Sequence, residues 1–264
     1  MIITTEAVIL RGRDYRDSSR IVTLYTKERG KLSAIAKGVR SRKSRIGLQL
    51  EPMSYVTAVL YLKESRELQL LTQCDNVRPL GSLVEDIRKM AAGMALVELV
   101  DLSTPTEERN EQLFDLLVEC LISVHNATND PENALYFFEG KLLDNLGFRP
   151  SLHRCVSCGA PMNVGEGLPG KGEIRLSSTG VICARCSPRE RGLFSVSRPT
   201  LRVLQRIQEV SSLEPLTRLR LSESGKREVS GVFLRFLQAH VAGFRTLKSQ
   251  EVFSSLEQGV LKDQ

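Results

Sequence analysis

Four of the six cysteines fall into two pairs, "CVSC" at 155–158 and "CARC" at 183–186, with 24 residues between them. Two Cys-x2-Cys turns can bring four thiolates into a tetrahedron, the arrangement that Zn2+ accepts from four sulfurs. The candidate ligands are therefore Cys155, Cys158, Cys183 and Cys186. Four protein ligands leave no position open for water, so such a metal holds the fold and does no chemistry. An iron–sulfur cluster would accept the same thiolates, and a redox dithiol is a third use of such a pair. The redox reading wants one pair inside a βαβ pattern, and neither pair sits in one. His153 could replace a thiolate, but the quartet is complete without it. Cys74 and Cys120 lie in apolar stretches and read as buried thiols.

A second chemistry is that of charge. The stretch "KGVRSRKSR", residues 37–45, places Lys37, Arg40, Arg42, Lys43 and Arg45 within nine positions, and no acid occurs between Glu28 and Glu51. On its own such a run is either a solvated loop or a grip on something negative.

Other candidate chemistry fails on inspection. "GEGLPGKG" (165–172) spells the start of a nucleotide-binding loop, but Gly172 stands where Ser or Thr must reach Mg2+. The strand-like "EIRL" follows, not a helix whose N-terminus could hold phosphate. The three histidines, His125, His153 and His240, sit in no catalytic pattern, and the acid pair Glu107–Glu108 reads as a solvated helix start. Nothing nominates an active site, so the expectation is a protein that is not an enzyme. A metal-dependent nuclease would need carboxylates or histidines around an open metal position. A scaffold that binds acidic protein tails is the other competing class.

These residues need elements to position them. The first 75 residues read as five short strands, rich in β-branched and aromatic residues. "KERG" (27–30) is a hairpin turn with Gly30 available for positive φ, and "KESR" (63–66) is a second tight turn. Five strands with a longer third connection match a Greek-key barrel of the oligonucleotide-binding (OB) type, and the basic run falls in that connection. Tyr15, Tyr25, Tyr55 and Tyr61 are the residues that could stack on bases; Tyr55 and Tyr61 share a face that could equally pack inside the barrel.

After Pro79 the period becomes helical. Ser82 with Glu85 forms a capping box, followed by a stripe of Leu83, Ile87, Met90, Met94 and Val97. Leu113, Leu117, Cys120, Leu121 and Val124 give a second stripe. Asp130, Pro131, Gly147 and Pro150 delimit a third helix. Two more helices follow residue 196. The expected class is thus α+β: an N-terminal five-stranded OB-type barrel over 1–79, then an all-α domain over 80–264 carrying an inserted four-cysteine zinc module at about 150–190.

Charge is unevenly distributed along the chain: net +7 over residues 1–80, −9 over 81–140 and +8 over 141–264, for +6 in all. Separate surfaces are implied, not a diffusely basic molecule. "MIITTEAVIL" lacks a basic n-region and carries Glu6, which makes it a poor signal peptide, and "MAAGMALV" is far too short to span a bilayer. The expected setting is the cytoplasm, at the nucleoid, without a membrane.

Three stretches carry a resemblance: "EAVILRGRDYRDSSRIVTLYTKERGKLSAIAKGVRSRKSR", "LQLEPM" and "NALYFFEGKLLDNLGFRPSLHRCVSCG". They resemble the bacterial RecO family of recombination mediators and DNA repair proteins along most of the chain. The resemblance implies binding of single- and double-stranded DNA and annealing of complementary strands without ATP. It also implies loading of RecA onto strands coated by single-strand-binding protein, with RecR and the acidic C-terminal tail of the coating protein as partners. In that context Lys37, Arg40, Arg42, Lys43 and Arg45 become phosphate contacts, flanked by Gly38 and Gly47, where the backbone can approach. Arg11, Arg13, Arg16 and Arg20 extend the patch if the first hairpin lies beside it. The zinc is then architectural.

Overall fold

Alternation of apolar and polar residues near the N-terminus closes a barrel. The structure, a computed structural model, describes residues 1–39, 47–63, 65–162 and 174–249. Strands β1 (Ile2–Tyr15), β2 (Ser19–Thr26), β3 (Gly30–Ala36), β4 (Tyr55–Tyr61) and β5 (Leu68–Arg78) close in the order β1-β2-β3-β5-β4. All pairs are antiparallel except β3 with β5. This is the OB-type barrel expected from the strand count. Every second residue points inward: Val22 and Leu24 from β2, Leu32, Ala34 and Ala36 from β3, and Val56, Ala58 and Leu60 from β4 are buried together. Burial of each larger aliphatic side chain contributes about 1.5–3 kcal/mol.

The turn into β3 requires glycine. Gly30 has φ +64°, and a Cβ there would overlap the carbonyl of Glu108. In β1 a bulge at Leu10 shifts the register between Ile9 and Arg11. It bends the strand, and both Val8 and Leu10 are buried on the outer wall.

Helices α1 (Ser82–Glu85), α2 (Ile87–Ser103), α3 (Glu111–Asn126) and α4 (Glu132–Asn145) follow. The capping box expected at Ser82 does not form. Ser82 Oγ instead bonds the carbonyl and ring of His125, and Asp86 caps α2 by accepting from the N–H groups of Arg88 and Lys89. Asp86 is extended (φ −121°), so the chain breaks between two helices where the sequence suggested one. The buried face of α2 shifts accordingly: Ala92, Leu96, Leu99 and Val100 are buried and Ile87 is largely exposed. Gly93 admits the Met53 side chain, whose Sδ would lie 2.5 Å from a Cβ there. The α3 stripe is buried as expected.

The chain divides into two compact units, Met1–Leu135 with the C-terminal residues from Thr246, and Tyr136–Arg245. In the second, α4 ends at Gly147 (φ +80°), with Phe148 N–H returning to the Leu143 carbonyl at 2.8 Å. Helices α5 (Arg198–Glu209) and α6 (Glu223–His240) pack on α4 at Gly140, where a Cβ would fall 2.5 Å from Ile207 and 3.8 Å from Phe233. Between α4 and α5 lies a three-stranded sheet, β6 (Ile174–Ser177), β7 (Gly180–Ile182) and β8 (Phe194–Val196), in the order β7-β6-β8. Among the described residues, no helix is long and apolar enough to cross a membrane.

Candidate nucleic-acid interface and metal centre

Strand register decides which cations share one end of the barrel. Asp14 faces Arg20 and Tyr15 faces Ser19 across the β1–β2 hairpin, while Arg20 also faces Ala36 at the end of β3. The connection that begins at Lys37 therefore starts beside the hairpin tip. Lys37 is exposed, and Gly38 turns the chain at φ +71°. Arg40, Arg42, Lys43 and Arg45 lie outside the described residues.

The four arginines of the first hairpin behave differently from one another. Arg13 is exposed on the outer wall opposite Ile21. Arg16, at φ 51° in the turn, lays its guanidinium over the Tyr15 ring at 5.3 Å. Arg20 is committed elsewhere: its Nη1 and Nη2 donate to the two carboxylate oxygens of Glu51 at 2.7 and 2.9 Å, and its side chain is 18% exposed. It packs over Gly12, where a Cβ would lie 2.7 Å from its Nε. Arg11 pairs through Nε with Asp101 at 2.8 Å but keeps 64% of its side chain in solvent. Arg20 thus clamps the barrel to the segment before β4, and a phosphate would have to compete with a bidentate carboxylate for it.

The four tyrosines separate by burial. Tyr55 and Tyr61 point outward, because Val56, Ala58 and Leu60 fill the interior between them, and Tyr25 does so because Val22 and Leu24 face inward. Tyr25 is fully buried, 6.3 Å from the Phe114 ring, and burial, aided by the Glu108 carboxylate, pushes its hydroxyl up to about 12. Tyr55 sits edge-on to Phe114 at 6.4 Å and donates to Glu6 at 2.6 Å; burial and then that carboxylate raise its pKa. Only Tyr15 and Tyr61 remain open to solvent. Lys63 and Arg66, in the β4–β5 turn, are exposed cations that the sequence reading passed over; their mark was the turn itself, which at Arg66 closes on the Lys63 carbonyl at 2.9 Å.

In the second unit, Cys155, Cys158, Cys183 and Cys186 converge. Their sulfurs all lie within 4.8 Å of one another, Cys158 and Cys183 at 3.7 Å. Each pair sits in a tight backbone knuckle. Cys155 N–H bonds the Ala160 carbonyl at 2.8 Å, Gly159 takes φ +71°, and Cys186 N–H returns to the Cys183 carbonyl at 3.0 Å. A short sheet holds the two knuckles together: Val156 N–H reaches Val181, and Gly180 lies so close to Ser151 that a Cβ would overlap its backbone.

The surroundings act unequally on the thiols, favouring the thiolate at Cys158 and Cys155. Backbone N–H of Ala160, then the Arg185 guanidinium, pull Cys158 down to about 6. Burial raises Cys155, but N–H groups of Cys183, Cys158 and Ser157 outweigh it and the net shift is downward. Cys186, sharing its proton with Cys183 and Cys158, is pushed up to about 12. Four soft donors at this spacing, two of them accepting N–H···S bonds that favour the thiolate, fit a tetrahedral metal ion. Cys74 and Cys120 are buried far from the quartet in sequence, and burial raises both thiols, Cys74 to about 12. The segment 165–172 lies outside the described residues.

Comparison with known proteins agrees along most of the chain. The family model described as "Recombination protein O N terminal" matches residues 1–80, and "Recombination protein O C terminal" matches residues 84–251. Proteins named DNA repair protein RecO share 32% identity in Symbiobacterium thermophilum, over 97% of this chain and 98% of the relative. In Salinibacter ruber the figure is 32%, over 97% and 95%. In Heliobacterium modesticaldum it is 30%, over 98% and 91%. With its barrel, its helical part and its cysteine quartet, the chain belongs to the RecO family of DNA repair proteins.

Proposed function

We propose that this protein binds single- and double-stranded DNA through residues 1–79 and anneals complementary strands without ATP. With RecR, it would help to load RecA onto strands coated by single-strand-binding protein, whose acidic tail is a further partner. The observation that supports this reading most is the placement of Lys37 at the end of β3, beside a hairpin carrying Arg13 and Arg16. In the sequence Lys37 opens the run that contains Arg40, Arg42, Lys43 and Arg45. Arg11 adds to the patch as a partly neutralised cation and Arg20 as a structural one.

Annealing asks for no bond making or breaking. Two strands repel through their phosphates; a cationic surface lowers that repulsion and holds both at high local concentration until base pairing takes over. Contacts of this kind are to phosphate, so little sequence preference is expected. Zn2+ on Cys155, Cys158, Cys183 and Cys186 would stabilise the fold of the module. The chain's own contribution there is the two knuckles, whose N–H groups hold the thiolates ready.

Annealing of complementary labelled oligonucleotides in the absence of nucleotide tests the proposal. The expected outcome is acceleration by the native protein, reduced in the folded Arg42→Ala/Lys43→Ala/Arg45→Ala variant. No acceleration by the native protein, or strand cleavage on adding Mg2+ or Mn2+, would overturn it.

A further inference from the structure

Helix α2 has a second apolar side. Its core side is Ala92, Leu96, Leu99 and Val100, but Met90, Ala91, Met94 and Leu102 recur three, four or eight residues apart along another side and stay partly open. Met90 and Met94 belong to the stripe that the sequence suggested for the core. Instead they line a groove of about 620 Å3, together with Leu10 and Arg11 at the β1 bulge and with Lys248 and Ser249. All of these residues belong to the unit formed by Met1–Leu135 and the C-terminal residues from Thr246.

The chain itself runs into this groove. Leu247 is buried, and the Glu98 carboxylate of α2 accepts from Lys248 N–H at 2.9 Å, Ser249 N–H at 3.1 Å and Ser249 Oγ at 2.8 Å. Lys248 and Ser249 have helical backbone. Glu98 therefore takes the place of an N-cap, satisfying the first N–H groups of a helical turn and complementing its positive end. Residues 250–264 lie outside the described residues. In the sequence Glu251 comes next to this start, Val252, Phe253 and Leu256 follow at the spacing of one helix face, and Gly259 is a stop signal. A helix from Lys248 to Gln258 is too short to hold in water by itself, so it needs an apolar surface to lie on. At 1.5 Å per residue, Val252 would stand only about 6 Å along the axis from Lys248, which already lines the groove.

We propose that this groove is the seat of the chain's own C-terminal segment, residues 250–258, held as a short amphipathic helix that Glu98 nucleates. Val252, Phe253 and Leu256 meet Met90, Met94 and Leu102, and methionine side chains are adaptable enough to pack around a phenyl ring. Tethering selects this occupant. Ser249 already lies in the groove, so the segment faces it at an effective concentration of about millimolar, which a separate chain has to exceed. The seated segment keeps an apolar surface from other molecules. The same segment of a second copy, or a separate peptide, is the competing occupant.

Amide hydrogen exchange of the full-length, metal-loaded protein, set against a synthetic peptide of residues 248–264, tests the seat. The amides of residues 251–258 should exchange about 10-fold or more slowly in the native protein than in the peptide. Phe253→Ser/Leu256→Ser and Met94→Glu should each return them to the peptide's rate, and Glu98→Ala should do so in part. Thermal melting confirms folding; should Met94→Glu not fold, Glu98→Ala reports on the groove side. The labelled peptide should bind the Phe253→Ser/Leu256→Ser protein, whose seat is empty, about 10-fold or more tightly than it binds the native protein. Peptide-like exchange in the native protein would overturn the proposal, as would protection that survives both groove-side substitutions. Equal peptide binding by native and variant proteins would overturn it in favour of a groove open to separate chains. Protection lost on dilution would overturn it in favour of a second copy's segment.

Discussion

Glu139 shows how much a single side chain can reveal about the helical unit. It sits on α4, is 2% exposed, and its Oε2 has no hydrogen-bond partner among the described residues. Burial pushes its pKa well above the ordinary carboxylate range. The folded protein therefore holds a proton that the unfolded chain releases. Stability from this group is fully present below the ordinary glutamate value and declines as pH rises toward the folded value. Glu139→Gln cannot titrate, so its denaturant-derived stability should fall less between pH 5 and pH 8 than that of the native protein. An identical decline in both would refute a buried, protonated Glu139. Nothing in "YFFEGKLL" announces this burial, because a glutamate in a helix is usually on the wet face. It becomes visible only when the rest of the fold is packed around α4.

Elements with local signals were the most readable. Barrel strands alternate, Gly30 and Gly147 mark turns that only positive φ allows, and the cysteine knuckles have fixed spacing. Elements decided by competition were not. Ser82 and Glu85 spell a capping box, yet Asp86 lies four residues into the same stretch and offers a stronger cap for the longer helix, while His125 draws the Ser82 hydroxyl away. The knuckle module yields a count that checks its architecture. Chelation of the folded, metal-loaded protein should make four thiols reactive, those of Cys155, Cys158, Cys183 and Cys186, and denaturation should raise the number to six by exposing Cys74 and Cys120. Six reactive thiols without chelation or denaturant would contradict both assignments.

Over the whole molecule, electrostatics divide into charges spent on the fold and charges left for a ligand. The acidic segment 81–140 supplies Asp101 to Arg11 and Lys31, Asp115 to Lys27, and Glu132 to Arg88. Part of the basic excess near the N-terminus is thus consumed in joining barrel to helices, which is why a cation count from sequence overstated the hairpin's share: partners such as Asp101 and Glu51 are distant in the chain. The tyrosines gave a similar lesson, since only tertiary packing separates the covered Tyr25 and Tyr55 from the open Tyr15 and Tyr61. On the proposed function, the cations left for a ligand are Lys37, exposed beside the first hairpin, and those that follow it in the sequence run 37–45. The most direct test is the affinity for a short unstructured oligonucleotide across a salt series. If the five cations of the run each meet a phosphate, log K against log salt should include a contribution of about −3.5 to the slope, and Arg42→Ala/Lys43→Ala/Arg45→Ala should remove about 2 of it. A folded variant with the native slope, or a native protein that leaves the oligonucleotide unbound in dilute buffer, would contradict the account.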